Sequence, residues 1–301
     1  MHSSTESTRG AGRRRTGWRI LLLLIALTVA AYGAAIAWLI REETRLVFQA
    51  GSPLSAARPP FPYEQVNLRR PDGARQFAWV MRHGEDSDDL AWILFLHGNA
   101  ATIASRPNIS RYDRLRELGL NIFAPEYRGF AGLDGVPSEP ALYVDARAAY
   151  DYLRSHERVP PDRIVIYGWS LGSAVAVDLA SRVEEAAVIL EGAPASLIAI
   201  GQQQYPFFPV RLLMRNPFDS ILKIGLVRAP ILFIHSPEDT VIPIAEARRL
   251  YEAVRSPRKF VEVRGGHIHA SEVDQAVFYG AIREFLAEHR LINRPAEHSA
   301  R

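Results

Sequence analysis

A chain of 301 residues, 48% hydrophobic and 23% charged, is long enough to bury a sizeable core in one large domain or two small ones. It contains no cysteine, which excludes disulfides and thiolate-bound metals from its stability and its chemistry. The formal charge of +3 is local: Arg9, Arg13, Arg14, Arg15 and Arg19 against Glu6 leave +4 in residues 1–20 and −1 in residues 21–301, so the body offers no basic face to nucleic acid.

Residues 20–40, ILLLLIALTVAAYGAAIAWLI, run without a charge, and a helix of that length matches the ~30 Å hydrocarbon core of a bilayer. Trp18 and Trp38 stand near its ends, where amphipathic rings favour the headgroup level. A cleaved signal peptide is the rival reading, with Ala35-Ile36-Ala37 as its cleavage pattern, but signal cores run about 7 to 15 residues. The expectation is therefore an Arg-rich cytoplasmic stretch (1–19), a single transmembrane anchor (20–40) and a body outside the cytoplasm. The orientation follows from the Arg cluster before the span, since Arg41, Glu42, Glu43 and Arg45 after it nearly cancel. Gly51, Pro53, Pro59, Pro60 and Pro62 punctuate residues 41–62, which read as an extended linker.

A folded domain is expected over 63–290, with a tail over 291–301. Residues 66–69 and 76–81, around Pro71-Asp72-Gly73, predict a hairpin. The continuous apolar run at 91–98 predicts a strand covered on both faces, and strand signals at 121–127, 163–168, 186–192, 229–235 and 259–263 follow it. Helical segments alternate with them; Leu142, Ala146, Ala149 and Leu153, for example, fall on one helical face. The fold class is α/β, a mainly parallel sheet flanked by helices, in which ligands sit at the carboxyl ends of strands.

The candidates for chemistry lie at those ends. The pentapeptide GWSLG (168–172) would arise by chance in roughly one chain of this length in ten. Here, however, it follows a predicted strand and opens a predicted helix, the context in which it holds a strained, exposed serine, Ser170. A serine needs a base, and the base needs a carboxylate. Asp239 follows the strand ending at 235, and His267 follows the strand ending at 263, in the chain order Ser, Asp, His. Glu238 and His269 are the neighbouring alternatives. Asp239 is preferred because Glu238 is as well placed to face solvent, and His267 because two glycines precede it. The N–H groups of Leu171, at a helix N-terminus, and of Asn99, in the turn after the strand at 91–98, are candidate oxyanion donors. His97 reads as a structural histidine, and Asp145, Asp151 and Asp178 as solvated or capping charges. No His and carboxylate set has metal-ligand spacing, and no cofactor is expected. Asn108-Ile109-Ser110 matches a glycosylation sequon, too short a pattern to assign a secretory route.

With these residues in hand, the chain resembles the α/β-hydrolase superfamily over roughly residues 60–290, most of all its membrane-anchored abhydrolase-domain serine hydrolases and their bacterial relatives. The likeness rests on FLHGNAATI (95–103), EYRGFAGLDGVPSE (126–139), DARAAYDYL (145–153), GWSLGSAVAVDLA (168–180), FDSILKI (218–224), PEDTVIP (237–243) and GGH (265–267). The resemblance implies Ser170 as nucleophile, Asp239 orienting His267, and Leu171 with Asn99 as oxyanion donors. Two stretches depart from the family pattern: His235-Ser236 stands where relatives usually have His-Gly, and EGAPASL (191–197) where an Asn-Thr-Phe-like run is more familiar. The implied chemistry is acyl transfer to water, of carboxylesterase, lipase or thioesterase type, on an acyl ester or lipid near a membrane. An insertion at 193–224 is expected to cap the site, and its YPFFPVRLLM (205–214) to line an acyl pocket, touch lipid or pack on the domain. A serine peptidase or amidase on the same scaffold, and a non-catalytic binding protein, are the alternatives.

Overall fold

Apolar runs bounded by turn residues build one eight-stranded sheet: β1 (Glu64–Arg69), β2 (Arg75–Met81), β3 (Trp92–Leu96), β4 (Asn121–Pro125), β5 (Ile164–Trp169), β6 (Ala187–Glu191), β7 (Ile231–His235) and β8 (Arg258–Glu262), in the order β1-β2-β4-β3-β5-β6-β7-β8. The β1–β2 hairpin is antiparallel and β2 runs antiparallel to β4, while every pairing from β4 to β8 is parallel. The computed structural model describes residues 7–51, 57–70, 72–84, 87 and 89–293, with side chains from residue 17 onward. Glu6, the side chains of Arg9, Arg13, Arg14 and Arg15, Pro53, Pro71 and tail residues 294–301 lie outside the described residues.

Period-two alternation sends each central strand into two cores. Trp92, Leu94 and Leu96 of β3 join Ile164 and Ile166 of β5 on one face, and Ile93 and Phe95 join Val165 and Tyr167 on the other. Each such side chain, removed wholly from water, contributes roughly 1.5–3 kcal/mol. Helices α2 (Arg106–Glu117), α3 (Glu139–Ser155), α4 (Leu171–Ala180), α7 (Ile244–Ala253) and α9 (Gln275–Glu288) cover the two faces. In α3 the predicted stripe Leu142, Ala146, Ala149 and Leu153 is fully buried, and Ser138 caps the helix by accepting from the Ala141 N–H. The cap holds α5 (Leu197–Gln204) and α6 (Val210–Leu213), and α8 (Gly266–Val273) follows β8.

Helix α1 (Ser7–Phe48) contains a stretch, Gly17–Phe48, long and apolar enough to cross a membrane. It continues through 41–48, where an extended linker was expected. The correction has a tertiary cause: Glu43 and Phe48 are buried against the body, and Ile36, Leu39, Glu43 and Val47 turn one helical face toward it. Farther on, Ala57, Phe61 and Tyr63 pack on the second core, so part of the expected linker belongs to the domain.

Two aspartates also depart from expectation. Asp145 is fully buried and accepts from the Arg128 N–H at 2.8 Å and from the Arg128 guanidinium, with Arg70 beside it. Asp178 is buried too, paired with Lys223 at 2.8 Å and Arg182 at 2.9 Å. Asp151 alone of the three is a surface charge, paired with Arg147. Asn108 is buried, its amide donating to the Thr102 carbonyl at 2.8 Å, so the sequon is closed to a glycan.

Candidate active site

Between β5 and α4 the chain turns so sharply that Ser170 adopts φ 55°, ψ −123°, a sparsely populated conformation for a residue with a Cβ. The turn requires Gly172, where a Cβ would stand 2.0 Å from the Leu96 carbonyl oxygen. The Ser170 N–H donates to the Glu191 carbonyl at 2.8 Å, which ties the elbow to the end of β6.

The loop after β8 brings in His267 at the first turn of α8. Gly265 and Gly266 precede it with φ 108° and 66°, left-handed values that open the loop for the ring to reach back over the sheet. His267 Nδ1 lies 2.6 Å from Asp239 Oδ2, and its Nε2 lies 2.8 Å from Ser170 Oγ. The carboxylate requires the proton on Nδ1, which leaves Nε2 to accept from the Ser170 hydroxyl. Asp239 follows β7, and its Oδ1 accepts from the Val241 and Ile242 N–H groups at 2.9 and 2.8 Å. Burial works to raise its pKa, yet the hydrogen bond and positive field from His267, with the Ile242 N–H, bring it below the ordinary carboxylate value. A hydroxyl donating to an imidazole that a buried carboxylate orients can pass its proton to that ring.

The sequence candidates thus separate cleanly. Ser170, Asp239 and His267 form one hydrogen-bonded line. Glu238 is exposed and accepts from the Gly265 N–H, and His269 is exposed beside Glu272. His97 is buried away from the line, between the Gly98 carbonyl and the Glu126 carboxylate, each at 2.8 Å. Its neighbour Gly98 approaches so closely that a Cβ there would lie 3.1 Å from the Ser170 Cβ. The turn carrying Asn99 is therefore beside Ser170, and Asn99 and Leu171 both line the cavity over it. Among the described residues no three His, Asp or Glu side chains gather to hold a metal ion.

Two further groups of residues support the line from below and above. Beneath His267, fully buried Arg111 of α2 donates to Glu191 through Nε at 2.9 Å and Nη2 at 2.5 Å, and the Tyr167 hydroxyl donates to the same carboxylate at 2.5 Å. Burial opposes the charge of Arg111, but Glu191 keeps it firmly protonated. The guanidinium also lies 4.2 Å from the Trp169 ring centroid, and Trp169 in turn stacks near His267. A lone Glu closing the apolar run AAVILEG was the available signal.

The second support is α1. A cavity of about 280 Å³ above Ser170 is walled on one side by Leu39, Leu46 and Val47 of α1 and on the other by Ile200, Leu213 and Met214 of the cap. Buried Glu43 joins these walls: it accepts from the Arg215 and Asn216 N–H groups at 2.7 and 2.8 Å and from Arg215 Nε at 2.6 Å. The end of α1 also braces the loop of Asn99, whose amide donates to the Val47 carbonyl at 3.2 Å, while the Ala100 N–H donates to the Phe48 carbonyl at 3.1 Å. The signal in the sequence was the helical spacing of Ile36, Leu39, Glu43 and Val47, which carries the span's periodicity into the charged stretch.

Comparison with known proteins agrees with this architecture. Residues 93–262 match the model of the alpha/beta hydrolase family. An uncharacterized protein of Mycobacterium tuberculosis is 34% identical over 270 residues, 89% of this chain and 95% of its own length. Alpha/beta hydrolase domain-containing protein 17C of Xenopus tropicalis is 32% identical over 259 residues, 75% of this chain and 79% of its own. An esterase of Pyrococcus furiosus shares the fold with a TM-score of 0.68 at 18% identity, covering 80% of this chain and 97% of that one. With more than half of its length inside the family model, and with its sheet order and strand-end site, this chain belongs to the alpha/beta hydrolase family.

Proposed function

We propose that the chain is a membrane-anchored serine hydrolase that cleaves carboxylic esters of acyl chains through Ser170, His267 and Asp239. The observation that carries this reading is the unbroken line from Asp239 through His267 to Ser170, at 2.6 and 2.8 Å, on the floor of an apolar cavity. Ser170 Oγ attacks the ester carbonyl while His267 Nε2 takes its proton, and the imidazolium returns that proton to the departing alcohol. Water then repeats the cycle on the acyl-enzyme. Asp239 keeps the Nδ1–H tautomer and stabilises the imidazolium. The N–H groups of Leu171, at the start of α4, and of Asn99 receive the developing oxyanion.

The long apolar helix supports anchorage, and the Arg cluster before it supports an N-terminus in the cytoplasm with the catalytic body on the other side. The test is labelling of the full chain with a fluorescent phosphonate that reacts only with activated serines. Wild type should label and Ser170→Ala should not, with ester turnover in the variant lower by several orders of magnitude. Folded wild type that neither labels nor cleaves any ester would end the proposal.

A further inference from the structure

The cap and the span touch well inside the apolar stretch. The Tyr32 hydroxyl donates to the Phe207 carbonyl at 2.8 Å, and the Tyr32 ring stacks on Phe208 with centroids 5.3 Å apart and planes 6° from parallel. Tyr32 stands eight residues before Ile40, so on a spanning helix this contact lies about 12 Å inside the end of the uncharged stretch. Whatever touches Tyr32 there shares its surroundings. Beside it the cap presents Phe207 and Leu212, 85% and 82% exposed, a costly display in water and an ordinary one in hydrocarbon.

The carbonyls of the same turn are suited to that solvent, where a polar group without a partner is costly, and the one backbone donor of the turn without an acceptor among the described residues is the Phe207 N–H. Every carbonyl from Tyr205 to Pro209 accepts a hydrogen bond. Tyr205 O receives the Phe208 N–H, Phe207 O the Tyr32 hydroxyl, Phe208 O the Val210 N–H and Pro209 O the Leu212 N–H. Pro206 O accepts from the Gln202 amide at 3.2 Å, and the two prolines bring no N–H of their own. Arg211, exposed next to Leu212, can extend its head to lipid phosphates while its stem stays apolar.

Behind this turn is the cavity whose walls are α1 and the cap and whose floor is Ser170. We infer that the Tyr205–Pro209 turn sits in the bilayer against α1, and that the cavity takes its acyl chain sideways from the membrane, so that the substrate is a long-chain acyl ester resident in the lipid phase. This rests on the serine-hydrolase reading for its chemistry, but the placement of the turn does not.

The chain has no cysteine, so a single one is a unique label site. Full-length Phe207→Cys and Leu226→Cys, each carrying bimane, are compared in phosphatidylcholine nanodiscs containing doxyl-labelled lipid. Leu226 is exposed on the approach to the N-terminal end of β7, away from the site. Strong quenching at 207 with little at 226 is expected, and equal or absent quenching at both overturns the inference. In parallel, Phe207→Asp/Leu212→Asp is assayed on an umbelliferyl palmitate carried in the nanodisc and on soluble umbelliferyl butyrate. The palmitate-to-butyrate ratio should fall at least about ten-fold, the factor that one buried apolar side chain supports. An unchanged ratio, or wild type that prefers an acylated soluble peptide, overturns bilayer loading. Failure of the phosphonate to label wild type would instead refute the hydrolase reading, and the quenching pair would still decide where the turn lies.

Discussion

The floor and the roof of the site are built on the same device and differ in everything around it. Each centres on a buried glutamate ringed by donors: Glu191 receives Arg111 and Tyr167 beneath His267, and Glu43 receives Arg215 and Asn216 between α1 and the cap. Glu191 ends a strand flanked by β5 and β7, so its neighbours are fixed by the sheet before any side chain is considered. Glu43 joins two elements with no strand of the sheet between them. The floor should therefore fail only together with the fold, whereas the roof can open while the fold persists.

The largest effect is expected on the floor. Arg111→Met leaves the Glu191 carboxylate buried with Tyr167 as its remaining side-chain donor, and removing one partner of a buried pair costs about 3–5 kcal/mol. Adding Glu191→Leu removes the stranded charge and should recover most of that loss. Denaturant unfolding of the two variants measures both steps. A single variant within about 1 kcal/mol of wild type, the scale of one ordinary hydrogen bond, would show that the pair does not hold the floor.

The roof should respond less and more locally. Glu43→Ala strands the buried Asn216 N–H and the part-buried Arg215 N–H, at about 1–3 kcal/mol for a buried donor without an acceptor. The ion pair to the Arg215 guanidinium adds little, because that side chain is half exposed. Hydrogen exchange should accelerate across α5 and α6 and stay slow in β5. Glu43→Gln, which keeps an acceptor oxygen for the two backbone donors, should restore part of the protection. Equal acceleration in β5 would mean that roof and floor open as one unit.

The same division explains what could be read from the chain. The apolar runs of β3 to β7 name their own strands, because burial on both faces leaves no other arrangement. Ser170 and Asp239 could be singled out because each follows such a run, His267 because two glycines precede it after the half-exposed edge strand β8, and the turn at 168–172 needs glycines that no longer-range contact could replace. The end of α1 was misread for the complementary reason: Arg41, Glu42, Glu43 and Arg45 look like solvated flanks, and only partners some 170 residues away, Arg215 and Asn216, make Glu43 a core residue. Asp145 and Asp178 are buried likewise through partners on other elements, Arg128 and Arg70 for the first and Lys223 for the second, although Asp178 also keeps the local partner Arg182. Charges on helices carry no local mark of burial.

The smallest effect sharpens the floor by pH. His235, at the end of β7, donates from Nε2 to the Ile242 carbonyl at 2.9 Å, and its Nδ1 is buried without a partner. Burial lowers its pKa below the ordinary histidine value, outweighing the Ile242 carbonyl and the Asp239 carboxylate 3.5 Å away, which favour the proton, while His267 disfavours it. Below about pH 6.5 the unfolded chain therefore binds a proton that the folded one refuses, so stability falls as pH drops through that window and is level above it. Asp239 acts in a separate window: its lowered pKa contributes stability above the ordinary carboxylate range that is lost only in stronger acid. His235→Gln keeps a donor for Ile242 without a titrating ring. Its unfolding free energy should lose up to about 1.4 kcal/mol per pH unit of slope below pH 6.5 and keep the acid loss due to Asp239. An unaltered slope would assign the proton uptake elsewhere and leave His235 a plain packing residue at the end of β7.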